Sequence, residues 1–350
     1  MQSENVKQME IRSTGNDRIV YFDWLRVVSI AAVVLLHASA EPLYKYNSDP
    51  LSFHIGNFYD SLTRWAVPIF IMVSGALMLQ SRKDEPPRLF FVKRSKKVLI
   101  PFIAWSMIYL IYSHFYEGKH FSFGSSLKAF LNESIYYHLW FFYVIIGLYL
   151  ITPIFKVYVK HASRENVRYF LILWFISSFI PIVNQLLEWN IHHIFDTVSG
   201  FIGLYLLGYY LYRYEIGRKI RVIIYVLSVF SLIVTFWGTK TVTAANGGKY
   251  DGLFYSYLTP NTILIAMAVF LLFKHFGLRE NKNVFIVRLS ISSFGVYLIH
   301  PIFLNMFKHL IDVQSHTFIT IPTLALLTMA VSFIISLFIQ RIPVLKWIMP

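Results

Sequence analysis

Three ionisable side chains in the first long apolar stretch of this sequence have the types and spacing to move a proton and to steady a negative charge. Asp23 and Arg26 stand in Tyr-Phe-Asp-Trp-Leu-Arg, and His37 follows eleven residues after Arg26. Eleven steps along a helix return to within about 20° of the starting face and rise about 16 Å, so the guanidinium and the imidazole share a face three turns apart. Asp23, three residues before Arg26, can pair with it and lower the cost of burying the positive charge. An imidazole is the usual general base near neutral pH, and a guanidinium offsets charge on a developing oxyanion. The set suits acid–base chemistry on a polarised carbonyl. A blander reading competes: Asp23 and Arg26 at one interface, their stems snorkelling, and His37 at the other.

Further polar residues of the same kind recur later. Arg64 opens a second apolar stretch, and His138 and Trp140 open a fourth. Ser292, Ser293, Tyr297 and His300 fall in a ninth, where Ser293, Tyr297 and His300, spaced by four and three, form one helical stripe. Each also has a structural reading: interface anchoring for His138 and Trp140, interhelical hydrogen bonding for the stripe. Asn184, Gln185, Asn261 and Asn305 read as interhelical hydrogen-bonding residues, and Ser74-Gly75 as a close helix contact. His192 and His193 are adjacent, face different ways on a helix and have no nearby carboxylate pattern, so no metal site is expected from them. The basic run Lys93-Arg94-Ser95-Lys96-Lys97, just before Pro101, can anchor anionic lipid or clamp the phosphates of a soluble donor through Arg94 and Lys97. With no glycine-rich nucleotide loop, coupling to ATP is not expected.

The elements that must hold these groups are membrane helices. Of 350 residues 56% are hydrophobic and only 14% charged, where an ordinary globular domain is about a quarter charged. There is no cysteine, which removes disulfides, thiolate metal sites and a cysteine nucleophile. Stretches of about 20 apolar residues cross the hydrocarbon, and the sequence predicts an all-α polytopic bundle of about ten. They run over Ile19–Ala40, Leu62–Gln80, Val98–Phe115, Leu139–Val159, Val167–Leu187, Val198–Tyr212, Ile220–Trp237, Leu258–Phe276, Ile291–Leu310 and Phe318–Ile339. The sixth is the shortest.

The net charge of +14 reports topology rather than nucleic acid. Numbering the connections alternately gives one side Lys7, Arg12 and Arg18, the cluster from Arg82 to Lys97, Lys160, Arg164, Arg168, Arg213 to Arg221, Lys274 to Arg288, Arg341 and Lys346. The other side holds Lys45, Lys119, Lys128, Lys240 and Lys249. Both termini are therefore expected in the cytoplasm, with residues 1–18 and 341–350 as cytoplasmic tails. Val27–Leu36 followed by Ala38-Ser39-Ala40 also has the form of a signal peptide, but Asp23 and the apolar start at Ile19 favour a retained span.

In order and placement these pieces resemble the membrane-bound acyltransferase-3 family, in particular its O-acetyltransferases of bacterial cell-surface glycans of the enterobacterial common antigen type. The resemblance covers about residues 18–340. It rests on Asp23-x-x-Arg26 with His37, Arg64-Trp-Ala-Val-Pro-Ile-Phe with Ser74-Gly75, Lys93-Arg94-x-x-Lys97 with Pro101, His138-Leu-Trp140-Phe-Phe, and Ser293-Phe-Gly-Val-Tyr297-Leu-Ile-His300-Pro. The family's cytoplasmic motif is commonly Arg-x-x-Arg, whereas Lys97 stands at the second position here, and a lysine cannot bind a phosphate bidentately.

The resemblance implies a single acyltransferase domain over residues 19–340 in the bacterial inner membrane, with acetyl-CoA as donor substrate and no bound cofactor. The acceptor it implies is a hydroxyl of a cell-surface or lipid-linked glycan. It assigns His37, Arg26 and Asp23 to catalysis, Arg94 and Lys97 to acyl-CoA, and Arg64, His138, Trp140, Ser293, Tyr297 and His300 to the acceptor route. Some relatives carry an extracytoplasmic domain that completes transfer, so either the bundle does the whole reaction here or a separate partner protein finishes it. The rival reading is a transporter or flippase for a surface polysaccharide or lipid-linked sugar, in which the same polar face lines a pathway.

Overall fold

A computed structural model of the chain describes residues 18–81, 86–119, 122–132, 134–189, 191, 199–276, 283–311 and 316–350. Among these there are thirteen α-helices and no strand. They are α1 Val20–Ser39, α2 Pro50–Ser61, α3 Ala66–Gln80, α4 Pro87–Phe115, α5 Phe123–Asn132, α6 Trp140–His161, α7 Arg164–Ser177, α8 Ile180–Leu187, α9 Phe201–Arg213, α10 Arg218–Ala245, α11 Pro260–His275, α12 Val284–Leu310 and α13 Thr317–Ile339. Nine helical stretches in the described residues are long and apolar enough to cross a bilayer. The chain is an all-α polytopic bundle. His192 and His193 lie outside the described residues.

The sixth expected span is a different object. Helix α9 has 13 residues, about 20 Å of rise, and every residue from Gly203 to Leu211 is buried. It can be short because it is enclosed by other helices rather than by lipid. Two glycines bring it against α3. A methyl group on Gly75 would overlap the Tyr205 backbone, and one on Gly208 would overlap the Met72 backbone. The small residue read as a close contact in Ser74-Gly75 is one half of this reciprocal approach.

The second expected span, Leu62–Gln80, is preceded by a further helix and broken where it begins. Asp49 caps α2 by accepting from the Ser52 amide at 3.1 Å, and the Ser52 hydrogen bonds hold its carboxyl below the usual carboxylate range. The chain turns through Leu62–Trp65 before α3 resumes. Pro68 has no N–H to offer the Arg64 carbonyl one turn back. Thr63 steadies the turn by donating its hydroxyl to the Asp60 carbonyl at 2.9 Å and the Tyr59 carbonyl at 3.0 Å. Irregular backbone at membrane depth is tolerated when it is enclosed by protein, and Asp60, Ser61, Thr63 and Ala66 are all buried.

The third span also begins earlier than Val98. Because α4 starts at Pro87, the basic run lies inside the helix rather than at its start, and a helix-terminus phosphate site does not arise there. Arg94 and Lys97 stand one turn apart on α4. The interhelical role expected of Asn261 and Asn305 is met: Asn261 donates to Thr235 Oγ1 of α10 at 2.8 Å, and Asn305 donates to the Tyr112 hydroxyl of α4 at 3.5 Å as well as to the Tyr136 hydroxyl at 2.9 Å. Asn184 instead closes a local loop onto Ile191.

Candidate active site

Helix α1 runs through the middle of the bundle against α3, α12 and α13, and its polar face opens on a cavity of about 440 Å³. Arg26 and His37 both line that cavity, as the eleven-residue spacing predicts, with Val33 between them on the same face. Lys97 and Val98 of α4, Ser293, Phe294 and Tyr297 of α12, and His138, Trp140 and Phe142 at the start of α6 complete much of its wall. One cavity thus joins groups that lie about 16 Å apart along α1.

Asp23 pairs with Arg26 as the three-residue spacing predicts, but at the limit of ion-pair distance, and its closer partners are others. Its carboxylate, 1% exposed, accepts two hydrogen bonds from the Arg18 guanidinium, at 2.6 and 2.8 Å, and one from the Ser290 hydroxyl at 2.6 Å. Arg26 Nη1 is 3.9 Å away. The fork geometry of Arg18 wins because two parallel bonds to one carboxylate are stronger than a single long charge contact. Asp23 therefore ties the start of α1 to α12, and leaves the Arg26 guanidinium turned to the cavity.

His37 sits among rings. It stacks on His300 with centroids 5.2 Å apart and planes 25° from parallel, and meets Tyr137 at 4.9 Å. His300 Nδ1 lies 2.8 Å from the Tyr297 carbonyl and 3.2 Å from that of Val296. Since a carbonyl can only accept, Nδ1 carries the proton and Nε2 keeps a lone pair. That Nε2 is buried without a hydrogen-bond partner among the described residues. His138 packs edge-on to His300 at 5.5 Å and to Tyr297 at 5.2 Å, and the Tyr297 hydroxyl donates to the His138 carbonyl at 2.5 Å. The Ser293–Tyr297–His300 stripe is thus turned inward, with Ser293 and Tyr297 on the cavity and His300 behind His37.

Besides Asp23 and His300, two further expected site residues lie off the cavity wall. Arg64 is ion-paired with Asp60, a residue buried outright, and lies over the Tyr255 ring at 4.1 Å from its centroid. The cavity wall nearby is made by Tyr257, which stacks on Trp140 at 5.4 Å and 13°. Arg94 covers the Phe90 ring at 5.1 Å, while Lys97 is the member of the basic run that reaches the cavity. Asp60, Arg18, Ser290 and Tyr257 were not singled out by spacing. Asp60 and Tyr257 fall outside the apolar runs, and Arg18 precedes the first. Only their polarity beside a span could have drawn attention to them.

An acyltransferase domain family matches residues 19–340 of the chain. A Staphylococcus aureus (strain MSSA476) protein named as a poly-beta-1,6-N-acetyl-D-glucosamine export protein is 21% identical, over 88% of this chain and 89% of its own length. The Bacillus subtilis (strain 168) protein YfiQ, named as a membrane-bound acyltransferase, is 24% identical over 80% of this chain and 79% of its own. No solved structure matches the chain.

Proposed function

Because the chain belongs to the acyltransferase-3 family, whose domain spans residues 19–340, we propose that it transfers an acetyl group from acetyl-CoA to a hydroxyl of a cell-surface or lipid-linked glycan in the bacterial inner membrane. The observation that carries this reading is the single cavity lined by Lys97 and Arg26 toward one end and His37 toward the other. Cationic groups suit the charged donor, and an imidazole among aromatic rings suits a sugar hydroxyl.

Arg26 and His37, about 16 Å apart along one helix, cannot both touch the reacting carbonyl, so their tasks divide. Lys97 and Arg26 hold the donor end, with Arg94 one turn from Lys97 on the outer rim. His37 accepts the proton of the acceptor hydroxyl as its oxygen attacks the thioester carbonyl carbon. The C–O bond forms and the C–S bond breaks, and the proton returns to the departing thiolate to give CoA. A variant of the same path has His37 itself carry the acetyl group before the hydroxyl takes it. His300, through its stack with His37, and His138 and Tyr297, through their mutual contact, fix the imidazole's surroundings. Trp140 and Tyr257 offer the acceptor an aromatic wall, with Ser293 a hydroxyl beside it and Arg64 a buried charge behind it. Asp23 acts at a distance, by holding α1 against α12.

The test is release of CoA from acetyl-CoA by the purified protein, dependent on added glycan. His37→Ala and Arg26→Ala at unchanged expression should each abolish it, and turnover surviving both overturns the assignment. A second reading draws on the staphylococcal relatives named for export: the same cavity passes a glycan and no bond is made. Glycans from a deletion strain separate the two. Loss of an acetyl increment on surface glycan supports transfer, by the bundle alone or with a separate extracytoplasmic partner; unmodified glycan retained inside the cell supports passage.

A further inference from the structure

The segment after α13, expected as a cytoplasmic tail, packs on the bundle. The backbone turns at Gln340–Ile342, makes a short 3-10 turn at Leu345–Trp347 and lies along α4 and α12. Met349 is fully buried in a cluster with Phe102, Trp105, Phe142 and Leu298. Trp105 Nε1 donates to the Ile348 carbonyl at 2.9 Å, and the Lys96 ammonium stands 5.9 Å from the centroid of the Trp347 ring. Gly295 makes the room: a Cβ there would come 2.8 Å from Met349 Sδ and would also collide with the Ser336 hydroxyl. The segment ends with Pro350 on the cavity wall, together with Lys97 and Val98.

We infer that Pro350, seated by the packing of the segment Arg341–Met349, is a fixed part of the cavity wall that keeps bulk water from the donor thioester, so that the acyl group passes to the acceptor hydroxyl instead of being hydrolysed. The inference rests on the reading that the donor enters beside Lys97. Its physical ground is how the segment is held. A buried thioether, an indole donor spent on a backbone carbonyl and a glycine that admits them make a rigid seat rather than a loose flap. An acyl donor is an activated ester that water attacks whenever it reaches it, and closing the site against water is what separates transfer from hydrolysis. Met349 and Trp105 are in this sense specificity-determining residues: they choose between two nucleophiles without touching either.

The chain has no cysteine of its own, so Val98→Cys places one thiol on the cavity wall. Two full-length variants loosen the segment to different degrees: Met349→Lys puts a charge in its buried seat, and Trp105→Phe removes the donor to Ile348 while keeping an aromatic ring. In the Val98→Cys background each should speed labelling by a water-soluble maleimide, on the order of tenfold for Met349→Lys, while a Ser95→Cys surface control labels unchanged. With Val98 restored, CoA release in the absence of glycan should rise by a similar factor relative to glycan-dependent release. Unchanged Val98→Cys labelling in both variants overturns the wall. Faster labelling with transfer intact and no rise in hydrolysis overturns its role against water. Faster labelling in a protein that, without these substitutions, releases no CoA from acetyl-CoA leaves the wall standing and refutes the donor reading instead.

Discussion

His37 and Arg26 make different demands on a substitution. A general base contributes to the transition state alone, so His37→Gln should lower kcat by about 10²- to 10⁴-fold and leave the KM for acetyl-CoA nearly unchanged. Arg26→Gln, at the donor end, should raise that KM. Steady-state kinetics with acetyl-CoA varied at saturating glycan reads both, and the reverse pattern would exchange the two assignments. The buried pair Asp60–Arg64 supports a second prediction. Asp60→Leu alone strands a buried guanidinium and should cost about 3–5 kcal/mol, whereas Asp60→Leu with Arg64→Met should recover most of it. Thermal unfolding in detergent measures the difference; equal losses in the single and double variants would mean that the pair is not coupled. If Arg64 serves the acceptor, the double variant is stable yet inactive. The Arg26–His37 face was legible in sequence because helical periodicity alone fixes it. The closer partner of Asp23 was not, since Arg18 lies before the helix, where no period applies. Asp60 was missed because it sits in a helix preceding the apolar run that announced the span.

Between elements, the approach of α3 and α9 does most to set the cavity's back wall. Met72 and Gly75 meet Tyr205 and Gly208 backbone to backbone, and Val67, Phe70 and Val73 of the same α3 face the cavity. Gly75→Val should therefore disable the protein. Two helices in contact through backbone have no side chain that can give way, and the overpacking cost of about 1–3 kcal/mol seen where neighbours can relax is a lower bound here. Gly147→Ala is the matched control. Nothing lies within 4 Å of an added Cβ there, and alanine in α6 should be neutral or stabilise by up to about 1 kcal/mol. Folded yield after membrane extraction compares the two, and a well-folded Gly75→Val protein would refute the contact. A 20-residue apolar window finds α1, α6 and α13 because lipid demands their length. It misjudges α9, α2 and the early start of α4, because a helix wrapped in protein, or one that continues past the hydrocarbon, answers to its neighbours instead.

Across the whole molecule, the outward faces confirm which helices meet lipid and leave their direction to be measured. Helix α10 exposes Ile223, Val226, Phe230, Ile233 and Trp237, an apolar surface that water would reject and hydrocarbon accepts. Its two ends differ in charge. Arg218, Lys219 and Arg221 stand at the start, and only Lys240 and Lys249 beyond the middle. Lysine and arginine are retained on the cytoplasmic side, so the α4 end carrying Ser95, Lys96 and Lys97 is expected to face the cytoplasm and the turn at Lys249 to face outward. Ser95 and Lys249 are both exposed, and a cysteine-free chain lets each report alone. Lys249→Cys should react with a membrane-impermeant maleimide on intact spheroplasts, and Ser95→Cys only after permeabilisation. The opposite result would turn the molecule over: Lys97 and Arg26 would then meet the extracytoplasmic space, a cytoplasmic thioester could not reach them, and the division of labour between the two ends of the cavity would fail with the orientation.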